Sequence, residues 1–250
     1  MAGTFRVSAF SLIELILVIV LTVLLTALLL PTLQRAKSEA QLTVSQSNIR
    51  SHAMVMLSYA GDWADRYPYM TDSAREITTI RAAGRVWELR YFDPVNYWTT
   101  GLVDAYYEGM AGHPSFHPPN SRRIGYTITS YWYSSTMIAA PSYWDQTTRL
   151  EGATQWNPVS VSDVLFPSAK GLLIEGYETL NDAVQGGRHN VAMCDASVRG
   201  LQRSELTDPY PFGNGGADVF PGGAGGLTIG VPVLHTVGGV RGLDLSGPQR

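Results

Sequence analysis

Phe10-Ser11-Leu12-Ile13-Glu14, followed by the apolar run from Leu15 to Leu30, decides how this chain reads. Between Leu15 and Leu30 the only polar side chains are Thr22 and Thr26. With Phe10 to Ile13 included, the segment covers about 21 residues, or roughly 31 Å as a helix. That matches the hydrocarbon thickness of a bilayer. Glu14 sits near one end of this span. A carboxylate in lipid is costly, and its presence there points to a function and asks for a cation. Arg6 and a chain terminus are the nearby candidates.

The first nine residues, Met1 to Ala9, carry one charge, Arg6. An ordinary secretory signal has a shorter apolar region and no acid at its start. A plain signal anchor accounts for the span and leaves Glu14 unexplained. Arg6 and the start amine precede the span, whereas Arg35 and Lys37 follow it, so flanking charge does not fix its orientation.

Phe-Ser-Leu-Ile-Glu before an apolar helix closely resembles the N-terminal motif of type IV pilins and type II secretion pseudopilins. The resemblance implies cleavage between Ala9 and Phe10 by a prepilin peptidase, N-methylation of Phe10, and Glu14 as the fifth mature residue. Pro31 falls where many pilins carry a helix-bending proline. Ala9 stands where the family usually has Gly, so a small residue is kept before the cut. The motif covers about an eighth of the chain.

After leader and helix, roughly 190 residues remain, enough for one sizeable exported domain. The net charge is −3 and the pI near 5.9, so the chain lacks the basic footprint of a nucleic-acid binder. The basic residues are nearly all Arg; Lys37 and Lys170 are the only lysines. Cys194 is the single cysteine, which excludes an intramolecular disulfide. Some pilins staple a C-terminal loop that way, so this head must hold by packing or by bound ions.

Beyond Pro31 the helix signal resumes. Thr32 to Ala60 has neither Gly nor Pro, and Gly61 reads as a stop. Leu33, Ala40, Val44, Met54 and Leu57 fall on one side and form the expected apolar stripe. Pro31 removes a backbone donor and crowds the Ala27 carbonyl; it predicts either a bend or melted turn, or simply the exit from the membrane. Tyr59 and Tyr67 are placed to lock the following loop, with Pro68 opening an extended segment. Residues 71–160 are aromatic-rich and poorly periodic. Within them, 87–92 reads as a short strand or helix end, and 124–138 as a strand. The clearest β signals are the run 171–176 and the alternation from Asn190 to Leu201, where Val191, Met193 and Asp195 point one way, Ala192, Cys194 and Ala196 the other. These segments are expected to be sheet neighbours. The second resembles the C-terminal signature of processing-associated pilin-like proteins: Arg188-His189-Asn190 and Asp195 match, the spacer is shorter than the family's, and Ala196 replaces a turn Gly. From residue 206 the composition becomes Gly- and Pro-rich, which predicts a flexible tail with a weak strand at 227–234.

Few constellations suggest chemistry. His113 and His117 have the zinc-helix spacing, but Pro114, Pro118 and Pro119 oppose a helix. His189, Asp195 and Ser197 lack a nucleophile elbow and alternate across a strand; His189 or Arg188 is expected to order the turn. Asp62 and Asp65 are too few for a six-to-eight-oxygen calcium site. Cys194 reads as a small buried strand residue. No cofactor is implied, and an enzyme is not expected.

The sequence therefore predicts an α+β, pilin-like chain: leader 1–9, assembly helix 10–31, amphipathic continuation 32–60, exported head 61–205 with an antiparallel sheet, and tail 206–250. The resemblance implies a single-pass protein of a bacterial inner membrane with a periplasmic head. Its partners would be the peptidase and methyltransferase, an assembly platform, and other subunits in a pilus or pseudopilus. The alternative is a membrane-anchored surface protein whose aromatic-rich head binds carbohydrate.

Overall fold

The long apolar run forms a helix. A computed structural model of the chain describes residues 11–119, 128–150, 152–175, 188–208 and 232–246. Two compact units divide it, Met1–Gln41 and Leu42–Arg250. Helix α1, Leu12–Asp62, is 51 residues long and contributes to both. In the first unit every described residue up to Ala40 is exposed.

The helix runs through Pro31 without interruption, so no turn melts there. Pro already has a helical φ, and its cost is the donor lost to the Ala27 carbonyl. One residue on, the Thr32 hydroxyl donates to the Leu29 carbonyl at 2.7 Å. The helix ends at Asp62, one residue past the expected stop at Gly61. The chain leaves the helix through Ala64 and Asp65, at φ 53° and 63°. The Asp65 N–H reaches back to the Ala60 carbonyl at 2.9 Å.

In the second unit, the buried residues of α1 are Ser45, Ile49, His52, Ala53, Met56 and Ala60. Their spacing of three and four makes one face. It is not the stripe expected from apolar periodicity: Leu33, Val44 and Met54 are exposed. The buried face includes Ser45 and His52 because the groups opposite are polar, as described below.

The head carries a hairpin, β1 (Thr78–Ala82) and β2 (Arg85–Leu89), and a four-stranded antiparallel sheet. Its strands are β3 (Tyr131–Tyr133), β4 (Gly171–Glu175), β5 (Arg188–Met193) and β6 (Val198–Gln202), paired in that order. The fold is thus α+β, with a long apolar N-terminal helix and antiparallel sheets. The expected neighbours 171–176 and 190–201 do pair, as β4 and β5. The second run forms β5 and β6 with a turn at residues 194–197, at the position where the resemblance implies one, so the alternation is broken there. Of the aromatic segment 124–138, only Tyr131–Tyr133 is strand among the described residues.

Strand alternation splits the core in two. Tyr131, Tyr133, Leu173 and Ala192 pack in one cluster with Ile49, Ala53 and Met56 of α1. Trp132, Ile174, Val191, Met193 and Leu201 pack in the other with Val233, Leu234 and Leu245. Both faces of the sheet are therefore covered, and every residue of β4 is buried. The end of the chain is not a uniformly flexible tail: Pro232–Ser246 includes the buried Val233, Leu234, His235, Thr236, Val240, Asp244 and Leu245. Residues 209–231, including most of the weak strand expected at 227–234, lie outside the described residues. Gly171 is needed for this packing, since a Cβ there would come within 2.5 Å of Val233.

A buried ion pair fastens that segment. Lys170 Nζ lies 2.7 Å from Asp244 Oδ2, with side-chain exposures of 0% and 1%. The same ammonium donates to Thr236 Oγ1 at 2.6 Å, and Asp244 Oδ2 also accepts from the Gly171 N–H at 2.8 Å. A buried pair is held by this kind of full hydrogen bonding, and removing one partner typically costs about 3–5 kcal/mol. Cys194 is buried and unpaired. The ion pair ties down the C-terminal segment without a disulfide.

At the β5–β6 turn, Ala196 sits at φ 60°. The Ala196 N–H donates to the Met193 carbonyl at 2.9 Å, and Met193 N–H to the Ser197 carbonyl at 2.8 Å. A left-handed residue closing a three-residue hairpin is normally Gly, and a side chain there is strained by roughly 1–2 kcal/mol. Ala196→Gly should therefore stabilise the full chain in detergent by about 0.5–1 kcal/mol after the extra unfolded-state entropy of Gly is counted, seen as a higher urea midpoint. An unchanged or lower midpoint would show that the turn is not strained.

Candidate functional site

Two places concentrate unusual chemistry: the start of α1 and the seam between its last turns and the sheet.

At the start, Ser11 is the N-cap. Its carbonyl accepts from the N–H groups of Glu14 and Leu15 at 3.1 and 3.2 Å. Glu14 bends back, and its Oε2 accepts the Ser11 N–H at 2.9 Å. That is the acidic half of a capping box, Ser-x-x-Glu. The sequence reading missed this second role for Glu14, although the spacing shows it. A peptide N–H satisfies the lone pairs of the carboxylate but not its charge. Glu14 has no ion pair among the described residues; Arg6, Ala9 and Phe10 lie outside them.

Behind Glu14 the surface is apolar. Leu12, Ile13 and the large aliphatic residues on to Leu33 are between 49% and 76% exposed. The two polar side chains in the run satisfy themselves: Thr22 donates to the Ile19 carbonyl at 2.8 Å and Thr26 to the Thr22 carbonyl at 2.7 Å. Such back-bonding is what a hydroxyl needs where no water is present. This is a helix long and apolar enough to cross a membrane.

At the seam, Glu175 ends β4 and is fully buried. Ser45 of α1 donates to its Oε1. The Ser45 hydroxyl also lies 3.1 Å from that of Tyr131, and the Asn190 N–H reaches Glu175 Oε2 at 3.3 Å. Gln46 Nε2 donates to Asn190 Oδ1 at 3.1 Å. Burial pushes the Glu175 carboxyl above its usual range, against the hydrogen bonds from Ser45 and Asn190. Two turns on, His52 Nε2 lies 2.8 Å from the Ser115 carbonyl and Nδ1 2.7 Å from the Tyr107 hydroxyl. A carbonyl only accepts, so Nε2 carries the proton and Nδ1 accepts from Tyr107. The ring is packed among Trp98, Tyr107, Phe116 and Tyr131, with centroids 5.3–5.7 Å away. Burial holds its pKa down at about 4. Sequence reading passed over Ser45, His52 and Glu175; the available signal was their recurrence at buried spacings beside strong apolar positions.

The other sequence candidates are scattered. Asp62 accepts from the Tyr106 hydroxyl at 2.7 Å, whereas Asp65 accepts from Ser162 Oγ at 2.8 Å. His113 Nδ1 bonds Ser115 Oγ at 2.6 Å, and His117 Nδ1 bonds Ser130 Oγ at 2.8 Å. Among the described residues no three His, Cys, Asp or Glu side chains gather to hold a metal. His189 lies within β5, at its start, whereas Asp195 lies past its other end, in the turn. The turn is ordered by Asp195, which accepts from Ser197 N and Oγ at 2.9 and 2.6 Å; His189 and Arg188, one of which was expected to order it, lie at the far end of β5. Cys194 lies in that turn rather than in a strand, and burial pushes its thiol up to about 12. The chain matches no family model, no curated protein and no solved structure.

The seam makes acid sensitivity measurable. His52 binds its proton in the unfolded chain near pH 6.5 and in the folded chain only near 4. The folded state is thus fully favoured above pH 6.5 and loses that advantage as pH falls towards 4, by about 3 kcal/mol in all. His235, held down at about 3 by burial and by the Lys170 charge, acts in the same direction. Glu175 has the opposite sign: its neutral form favours folding at low pH, and that gain is lost as pH rises through its elevated pKa. Urea midpoints measured at pH 7.5 and 4.5 should fall with acid, and the fall should be smaller in His52→Gln. Equal losses in the two proteins would remove His52 as a cause.

Proposed function

We propose that this chain is a pilin-like structural subunit. It enters a membrane through its N-terminal helix, is cleaved between Ala9 and Phe10 and methylated on Phe10, and stacks with other subunits into a pilus or short pseudopilus. In this reading the head lies on the periplasmic side of a bacterial inner membrane. The peptidase and methyltransferase, an assembly platform and neighbouring subunits are its partners.

One observation carries the reading: a helix with apolar side chains exposed all round starts at a carboxylate that accepts its own cap's N–H and has no ion pair among the described residues. A membrane accounts for the apolar surface alone. A neighbouring subunit that brings a positively charged Phe10 amine accounts for both. Pairing offsets much of the cost of a buried charge only when the partner arrives in register, so Glu14 selects the correct stacking offset. Contacts of this head-to-tail kind do not close on themselves and so grow a helical filament.

Glu14→Ala should leave membrane insertion intact and abolish assembly or lower it sharply. Glu14→Gln sharpens the test, because Gln still accepts the Ser11 N–H and keeps the helix cap. The fraction of each variant in sheared filaments, relative to the membrane fraction, is the readout. Wild-type incorporation of Glu14→Gln would mean that Glu14 serves as a cap and not as half of an ion pair.

A further inference from the structure

The head holds an open cleft of about 720 Å³ that the assembly chemistry does not use. Five aromatic rings line it: Tyr59, Trp63, Tyr69, Tyr91 and Trp156. Four form two parallel pairs. Tyr59 and Trp63 stack with centroids 5.6 Å apart and planes at 13°, and Tyr91 and Trp156 stack at 5.3 Å and 16°. Trp63 is still 61% exposed although one of its faces rests on Tyr59, which leaves the outer face to solvent. Tyr69 is 42% exposed. Large aromatic side chains normally go into a core; here two are kept at a concave surface.

The polar groups of the cleft are as informative. Arg66, Ser73 and Asn157 belong to its lining. The Arg66 guanidinium, the Ser73 hydroxyl, Asn157 Oδ1 and the hydroxyls of Tyr59 and Tyr69 make no side-chain hydrogen bond among the described residues, although Asn157 Nδ2 donates to the Thr154 carbonyl at 3.4 Å. Asp72, the carboxylate in the lining, is already committed to Arg75 at 3.2 Å and to the Ala74 N–H at 2.9 Å. The free groups are thus one cationic donor, three hydroxyls and one amide acceptor, arranged beside flat apolar faces.

We infer that this cleft binds a carbohydrate chain, with a pyranose ring laid on the open face of Trp63 and its hydroxyls taken by Arg66, Asn157 and the tyrosines. A sugar ring has an apolar C–H face and a rim of hydroxyls that both donate and accept. It satisfies the two kinds of surface at once. A cationic ligand, the other natural occupant of an aromatic-lined site, is repelled by Arg66. A proline-rich peptide fits the aromatic faces but brings no donors for Asn157 and the hydroxyls. The volume falls in the usual range for small-ligand clefts. The inference concerns the head alone and stands whether or not the chain assembles.

The test is calorimetric titration of the full chain in detergent with cellohexaose, chitohexaose and hexagalacturonic acid, which separate neutral, acetamido and acidic sugars. At least one should bind saturably, and Trp63→Ala should weaken that binding about tenfold or more, equivalent to about 1.4 kcal/mol. Arg66→Ala should weaken it too, most for the acidic oligomer if a carboxylate is what Arg66 holds. Both side chains are exposed, so circular dichroism should stay that of the parent. Binding that ignores both substitutions, binding of none of the three up to about 10 mM, or binding of an oligoproline peptide in their place would overturn the assignment.

Discussion

The helix from Leu12 to Leu33 has a surface that water does not tolerate. Its large aliphatic residues are exposed on every side, and each is worth about 1.5–3 kcal/mol on leaving water. Summed along the run, that demand exceeds the ~5–15 kcal/mol by which an ordinary domain is stable. The helix is long and apolar enough to cross a membrane, and in the proposed function lipid and neighbouring helices cover it in turn. The polar groups within it conform. Thr22 and Thr26 bond back to the helix, and Glu14 bonds the N–H of its own cap. Glu14 has no ion pair among the described residues, and the function proposed for the chain grows from that.

The second unit solves a different problem with the same helix. The turns from Leu42 onward are buried on one face, while the rest is exposed and mixes polar residues with Val44 and Met54. Ser45 and His52 bring hydrogen-bonding groups into that face, and Glu175, Tyr131 and Tyr107 meet them. Apolar residues of the same shape would give a seam as stable or more so. What polar partners add is register: a helix slid by one turn would leave Glu175 and His52 buried without partners, at a cost of about 1–3 kcal/mol for each lost bond. On the opposite face of the sheet, the Lys170–Asp244 pair plays the same part for the end of the chain. The head is fixed at two seams by side chains that cannot be satisfied elsewhere.

Much of this was legible in the sequence. The helix, its exposed first half, the pairing of β4 with β5 and the alternation of Val191, Ala192, Met193 and Cys194 all follow from periodicity. Three features were not, for reasons that can be named. The buried stripe of α1 was misplaced because periodicity counts apolar residues, and here the sheet selected Ser45 and His52 over Val44 and Met54. The stop read at Gly61 falls within a residue of the helix end at Asp62, but the bend or melted turn read as one alternative at Pro31 did not follow, because flanking helix formers carried the helix through it. The end of the chain was read as a tail from its glycines. Leu243-Asp244-Leu245 was the countersignal, an acid between two apolar residues, and Lys170, one of two lysines, was its remote partner. A long-range ion pair leaves no periodic trace. The capping box at Ser11 and Glu14 was legible and was overlooked because the membrane reading had already claimed the acid.

The identity of the mature N-terminus tests the central claim most directly, because everything said of Glu14 requires an amine four residues before it. Intact-mass and fragment spectra of the protein taken from native membranes or filaments would settle it. Filament assembly predicts a chain that begins at Phe10 with a methyl group on its amine. A chain that still begins at Met1, or one cut beyond Leu30, would contradict it.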